Sequence, residues 1–177
     1  MKVKPGAPAL LLSLALTTLT GCSMTETNDS ADIPLAGTST SLAAADTAEK
    51  VSSELYDLIG VKGKASETGP GVTECEDKDR DKYFQIFHPW SLVPASAADL
   101  SGVMERLKEE LPKHGWKVVD YGPDTSKNKN VSLTADNDGK KHSVNIVHYA
   151  KENPPRLGLT VLSGCYQIPD GEEIQRF

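Results

Sequence analysis

Two segments of the chain space their apolar residues as an amphipathic helix does. The first is Asp46–Ile59, which stops at Gly60, and the second is Ser96–His114, which ends at Gly115 and has Pro112 in its last turn. The apolar positions that define the two faces are Val51, Leu55, Leu58 and Ile59 in the first segment and Leu100, Val103, Met104, Leu107 and Leu111 in the second. The sequence therefore predicts two helices, each with one buried face.

Most of the other patterned segments alternate apolar and polar residues, which is typical of half-buried strands. Asp136–Lys140, with the sequence DNDGK, is a hairpin signal between two of them. The predicted strands are Tyr83–Trp90, Lys117–Tyr121, Val131–Ala135, His142–Tyr149 and Leu157–Tyr166. This order of elements predicts an α+β fold in which two helices pack on one face of a mostly antiparallel sheet of four to five strands.

The amino-terminal residues have the layout of an export signal. Lys2 and Lys4 precede an apolar run, Ala9–Leu19, and small residues follow it. A helix of these eleven residues would be about 16 Å long, whereas a bilayer core is about 30 Å thick. The run is therefore too short for a membrane-spanning helix, and we expect it to direct export and then to be removed.

Leu19-Thr20-Gly21-Cys22 resembles the lipobox of bacterial lipoproteins, in which an aliphatic residue and two small residues precede a cysteine. The resemblance implies that Cys22 receives a diacylglyceryl group and that lipoprotein signal peptidase cuts between Gly21 and Cys22. Two acyl chains would then hold the mature protein at the outer face of the cell membrane. The alternative is an ordinary secretory signal with an incidental cysteine.

This interpretation divides the chain into three parts. Residues 1–21 are a signal peptide, residues 22–45 are the lipidated cysteine with a flexible tether rich in Ser, Thr and Ala, and residues 46–177 are a single extracytoplasmic domain. Removal of residues 1–21 leaves 19 − 2 = 17 basic residues against 25 acidic ones, a formal charge of about −8. Because such a chain is repelled by nucleic acid, we expect no nucleic-acid partner.

The two cysteines that remain after lipidation of Cys22 are Cys75 and Cys165. An even number of cysteines in an oxidising compartment predicts a disulfide between them. Free thiols that act as metal ligands or as a redox pair would need a CxxC-like spacing, which this sequence does not have.

The sequence carries no motif that identifies a reaction. Glycine-rich phosphate loops, GxSxG and HExxH do not occur. Asp77, Asp79 and Asp81 alternate as in a calcium loop, but Lys82 and His88 stand where an EF-hand needs glycine and glutamate. The four histidines are interpreted as residues at strand or helix ends: His88, His114, His142 and His148. We therefore predict no metal and no cofactor.

On the face of the predicted sheet opposite the helices, alternation places an excess of aromatic residues. They are Phe87, Tyr121, Tyr149 and Tyr166. This face is either covered by the tether or the first helix, or it is a docking surface for another envelope protein or a small apolar ligand.

The sequence favours a non-catalytic binding or envelope-assembly role. The overall plan is similar to that of small uncharacterised lipoproteins of Gram-positive actinomycetes. The competing hypotheses are an envelope hydrolase whose active-site residues converge only in the fold, and a carrier of small hydrophobic ligands. A deep cleft with a histidine near a carboxylate would favour the hydrolase, and a closed cavity between helices and sheet would favour the carrier.

Overall fold

The computed structural model describes residues 34–177, which lie in one compact unit. The amino-terminal region with Gly21 and Cys22 lies outside the described residues. In chain order the elements are β1 (Leu35–Thr38), α1 (Ser41–Ile59), β2 (Gly63–Ala65), β3 (Gly71–Glu74), β4 (Tyr83–Pro94), α2 (Val103–Glu110), β5 (Lys117–Pro123), β6 (Val131–Asn137), β7 (His142–Tyr149), β8 (Arg156–Ser163) and β9 (Cys165–Gln167). Short 3₁₀ turns flank α2 at Ala97–Leu100 and Leu111–His114. Within this part of the chain, no helix is long and apolar enough to cross a membrane.

Helix α1 begins five residues earlier than the sequence predicts. Thr40 caps it, since its side chain accepts a hydrogen bond of 3.3 Å from the Ala43 N–H, and Gly60 ends it in the left-handed conformation with φ +62°. The buried face of the early turns consists of small residues, Ser41, Ala44, Ala45 and Ala48. Such residues have little hydrophobic contrast, which is why this part of the helix was assigned to the tether.

The predicted tether at 22–45 therefore ends too late. Its residues 35–38 form strand β1, which pairs parallel with β9, and its residues from Ser41 onward belong to α1. The folded domain includes residues from Leu35 rather than from Asp46.

The second predicted helix is divided in three. Gly102 adopts φ +69° and separates the first 3₁₀ turn from α2, and Pro112 lies in the second 3₁₀ turn. At the start, the Ser96 N–H donates to the Asp99 carboxylate at 3.2 Å. The apolar stripe is nevertheless buried as predicted, with Leu100, Val103, Met104, Leu107 and Leu111 all at most 2% exposed.

The predicted α+β plan, with two helices packed on a sheet of four to five strands, is wrong. The chain forms a mixed nine-stranded sheet that curves into a half-barrel, with two α-helices in the described residues. The strand order is β1-β9-β4-β8-β7-β6-β5, and β2 and β3 also pair with β4. The strands missed from the sequence, β1, β2 and β3, are three or four residues long, so they show too few alternations to be recognised, and β9 was predicted as a continuation of β8.

The disulfide predicted between Cys75 and Cys165 is confirmed. It joins the residue after β3 to the first residue of β9, with the two Cα atoms 5.9 Å apart. Two hydrophobic clusters make up the core: a large one between the helices and strands β4 to β8, and a smaller one between the start of α1 and strands β4 and β9. The disulfide thus ties β3 to β9, the strand that contributes Tyr166 to the smaller cluster.

Candidate functional site

The structure does not bring the four predicted aromatic residues onto one surface. Phe87 and Tyr149 do share the sheet face opposite α1, but they flank opposite ends of β8, next to Leu162 and Arg156. Six residues of extended strand separate those two positions, about 20 Å. Phe87 is exposed, whereas the Tyr149 ring is covered by the Arg156 guanidinium at 4.3 Å from its centroid.

The other two aromatic residues lie on the core side. A bulge between Val118 and Asp120 reverses the alternation in β5, so Tyr121 pairs with the buried Leu133 and lies under the Lys108 ammonium, 4.6 Å from its ring centroid. Tyr166 is 8% exposed and stacks on Phe84 at 5.7 Å between ring centroids.

Tyr166 lies on the core side, rather than on the predicted outer face, because the last predicted strand is broken. Gly164 separates β8 from β9, and a Cβ atom there would collide with the carbonyl of Pro34 beside β1. Beyond this break Cys165 and Tyr166 are both buried.

A groove lies instead between the carboxyl half of α1, the chain connecting β2 to β3, and the middle of β4. Its volume is about 420 Å³, within the range of small-molecule sites. The lining residues are Glu49, Ser52, Ser53, Tyr56, Asp57, Ala65, Ser66, Glu67, Thr68, Gly69, His88 and Trp90. The five from α1 recur at the spacing of a single helical face, so one side of the helix forms one wall.

Strand pairing explains the opposite wall. β3 pairs with residues 84–87 of β4 and β2 with residues 92–94, so the chain between β2 and β3 has to pass along the intervening part of β4. Ser66 holds it there, because its N–H donates to the Ser91 carbonyl at 2.9 Å and its hydroxyl accepts from the Ser91 N–H at 3.0 Å. His88 and Trp90 of β4 then form the floor.

His88 connects the two walls. Its Nε2 lies 2.8 Å from the Thr68 carbonyl oxygen and its Nδ1 lies 2.8 Å from the Ser52 hydroxyl. A carbonyl oxygen only accepts, so Nε2 carries a proton; in the neutral ring Nδ1 is then the acceptor and Ser52 donates to it. Ser52 and His88 are 5% and 9% exposed, and their bonds hold the loop against the helix.

An aromatic pair lies beside this polar connection. The rings of Tyr56 and Trp90 have centroids 6.2 Å apart and are tilted by 49°. Trp90 is buried, and its indole N–H finds no acceptor among the described residues. A buried tryptophan usually has a partner for this group.

The charge of the groove is of one sign. Glu49, Asp57 and Glu67 are exposed at its rim, and no lysine or arginine lines it. A second depression of about 510 Å³, which shares Asp57 with the groove, does contain a lysine, since Lys140 pairs there with Glu54 at 2.9 Å.

Metal chemistry has no support among residues 34–177. No group of three or more His, Cys, Asp or Glu side chains in this part of the chain converges as metal ligands do. The acidic segment with Asp77, Asp79 and Asp81 is an exposed turn. Burial lowers the pKa of His142 and of His148 below the ordinary histidine value, which favours neutral imidazoles in both.

The groove residues were missed because each looked ordinary alone. The sequence does contain a signal: Ser52 interrupts the apolar stripe of α1, and His88 interrupts the inward positions Phe84, Ile86 and Trp90 of β4. A polar residue on each of two buried faces indicates a buried polar contact. Which two residues meet depends on how the helix lies on the sheet.

Comparisons of the chain with protein-family models, with curated proteins and with solved structures gave no match.

Proposed function

We propose that this protein is an extracytoplasmic lipoprotein, anchored through Cys22, whose groove between α1 and β4 binds a small ligand without converting it. The observation that carries the proposal is the groove itself, with an aromatic pair on one side and the Ser52–His88–Thr68 connection fixing its walls. Fixed walls reduce the entropy lost on binding. The resemblance of Leu19–Cys22 to a lipobox supports the location.

The interior of the fold supports a groove binder over a carrier of hydrophobic ligands. The space between the helices and the sheet is filled by a large cluster of buried side chains, and the groove is open to solvent with acidic residues at its rim. A carrier needs an enclosed apolar space.

The position of β1 limits how far the domain extends from an anchor. Leu35 follows Cys22 by 35 − 22 = 13 residues. A chain of that length spans at most about 45 Å. The groove would therefore act on ligands close to the membrane surface.

The anchor is tested with Cys22→Ala in the native cell. We expect the wild-type protein to partition into the detergent phase of a Triton X-114 extract and the variant to leave it, because two acyl chains are needed for stable membrane association. Ser23→Ala is the matched control and keeps the wild-type distribution. Equal partitioning of Cys22→Ala and wild type contradicts the anchor.

The groove is tested by titrating a small-fragment collection of mixed charge into ¹⁵N-labelled mature protein. We expect shifted amide signals to cluster on α1 and the 65–69 loop. Tyr56→Ala should weaken those fragments about two- to tenfold, since an aromatic contact contributes about 0.5–1.5 kcal/mol. Tyr149→Ala removes the same ring from the opposite sheet face and should change nothing. Clustering around Phe87 and Leu162 instead would overturn the assignment.

A second candidate function is acyl hydrolysis, and the 2.8 Å contact between Ser52 and His88 favours it. In that reaction the Ser52 oxygen would attack an acyl carbon while its proton passes to His88 Nδ1, and the leaving group would then take this proton. Water would release the acyl group in a second, equivalent step.

A fluorophosphonate probe separates the two functions. We expect no label on Ser52 in the wild-type protein, because its side chain is only 5% exposed. Ser53→Ala removes the neighbouring exposed serine and controls for surface labelling. A stoichiometric label on Ser52 that disappears in His88→Ala would establish the hydrolase and contradict the non-catalytic proposal.

A further inference from the structure

We infer that the ligand of the groove is a small organic cation with an ammonium group. This inference rests on the proposed binding function and specifies it. It follows from three features of the groove: the sign of its charge, the aromatic pair, and the wide spacing of its carboxylates.

The rim attracts positive charge and repels negative charge. Glu49 and Asp57 lie on α1 and Glu67 lies across from them on the loop, while no lysine or arginine lines the groove. Both ring nitrogens of His88 are already engaged, with the Thr68 carbonyl and the Ser52 hydroxyl. A cleft lined by one sign of charge concentrates ions of the other sign.

The aromatic pair gives the cation a place to bind. Tyr56 lies between Glu49 and Asp57 along the same helical face, with the Trp90 ring 6.2 Å away. Two tilted rings beside carboxylates form part of an aromatic cage, in which an ammonium group is attracted to the ring faces.

The spacing of the carboxylates excludes a metal ion as the occupant. Glu49 and Asp57 are eight residues apart on one helix, about 12 Å along its axis. Oxygen ligands of Ca²⁺ lie within about 2.3–2.6 Å of the ion and must converge on it. No such convergence occurs among residues 34–177. Carboxylates spread around a pair of rings instead fit a bulky cation that remains partly hydrated.

The test uses choline as the probe, with 3,3-dimethyl-1-butanol as its uncharged isostere and butyrate as an anion. The chain has two tryptophans, so an indole N–H spectrum of ¹⁵N-labelled mature protein in maltoside detergent has two signals, and Trp90→Phe assigns them. We expect choline to shift the Trp90 signal saturably. The isostere should bind at least about fivefold more weakly, and butyrate should not bind.

The second part of the test neutralises the three carboxylates at the rim of the groove. The triple variant Glu49→Gln/Asp57→Asn/Glu67→Gln should weaken choline about tenfold, because it removes all three carboxylates from the rim of the groove. Asp46→Asn removes an exposed carboxylate from the same helix outside the groove and should leave the affinity unchanged. Raising the salt concentration should weaken choline in the wild type.

The outcomes distinguish the inference from the function on which it rests. If 3,3-dimethyl-1-butanol binds as tightly as choline, or if only neutral fragments bind, the groove remains a binding site and the cationic ligand is wrong. If neither choline nor any fragment shifts signals of the groove residues, both the inference and the binding function are wrong.

Discussion

Replacing Cys75 and Cys165 together by alanine should lower the free energy of unfolding by about 2–4.6 kcal/mol. The two residues are 90 apart in sequence, so the disulfide closes a loop of 165 − 75 + 1 = 91 residues. In the chain-entropy model a cross-link over a loop of this length removes many conformations from the unfolded chain, which gives the upper value. The lower value applies if the unfolded chain already retains structure.

Urea denaturation measures this change in the free energy of unfolding. Adding a thiol reductant is the control, because it breaks the disulfide without changing the sequence. The reductant should destabilise the wild-type protein by the same amount as the double substitution, and it should not affect the double variant. Equal stability of the variant and the oxidised wild-type protein would show that the bridge contributes nothing. A loss of stability in the double variant that exceeds the loss caused by the reductant would instead indicate lost packing at the two buried side chains.

Leu55→Ala should destabilise the fold by about 2–5 kcal/mol, whereas Leu42→Ala should change stability by less than about 0.5 kcal/mol. Both leucines lie on α1, and the chemical change is identical. Leu55 is 1% exposed in the larger core cluster, while Leu42 is 56% exposed. The difference therefore reports the packing of the helix on the sheet, since any effect of helix propensity is common to both.

The measurement is again urea denaturation, with the midpoint shift evaluated at a common slope. A loss at Leu42 comparable to that at Leu55 would mean that the first turn of α1 packs against another part of the chain. A small loss at Leu55 would contradict the position of α1 over the sheet.

The features that the sequence predicted well depend on strong, local signals. The helical stripe that includes Leu100 and Leu107 is buried although the helix around it is divided, because burial follows the apolar positions rather than the helix boundaries. The disulfide followed from the two cysteines that remain when Cys22 is assigned to the predicted lipobox.

The features that it predicted poorly depend on single residues that change the parity of a strand. The bulge at Val119 moves Tyr121 to the core side, and the break at Gly164 does the same for Tyr166. Strand alternation has a period of two, so one inserted residue reverses every side chain beyond it. Neither the bulge nor the break has a distinctive sequence: Val119 favours strands like its neighbours, and a glycine within a strand can mark a bulge, a bend or a close approach of another backbone.

The site was missed for a different reason. The Ser52–His88 contact joins residues 36 apart in sequence, and the loop containing Thr68 lies over β4 only because two very short strands pair on either side of it. Such contacts are set by tertiary packing. The polar positions on the two apolar faces indicate that a contact exists, but they do not identify the partner.

The unpaired edge of β5 is protected against pairing with a strand of a second molecule. This strand ends the sheet, and it carries the bulge near Val119, the charged Lys117 and Asp120, and Pro123 at its end. Each of these discourages a second strand from adding to an open edge. Molecules concentrated side by side on a surface would therefore resist edge-to-edge aggregation into fibrils, even though a half-barrel leaves its last strand unpaired on one side.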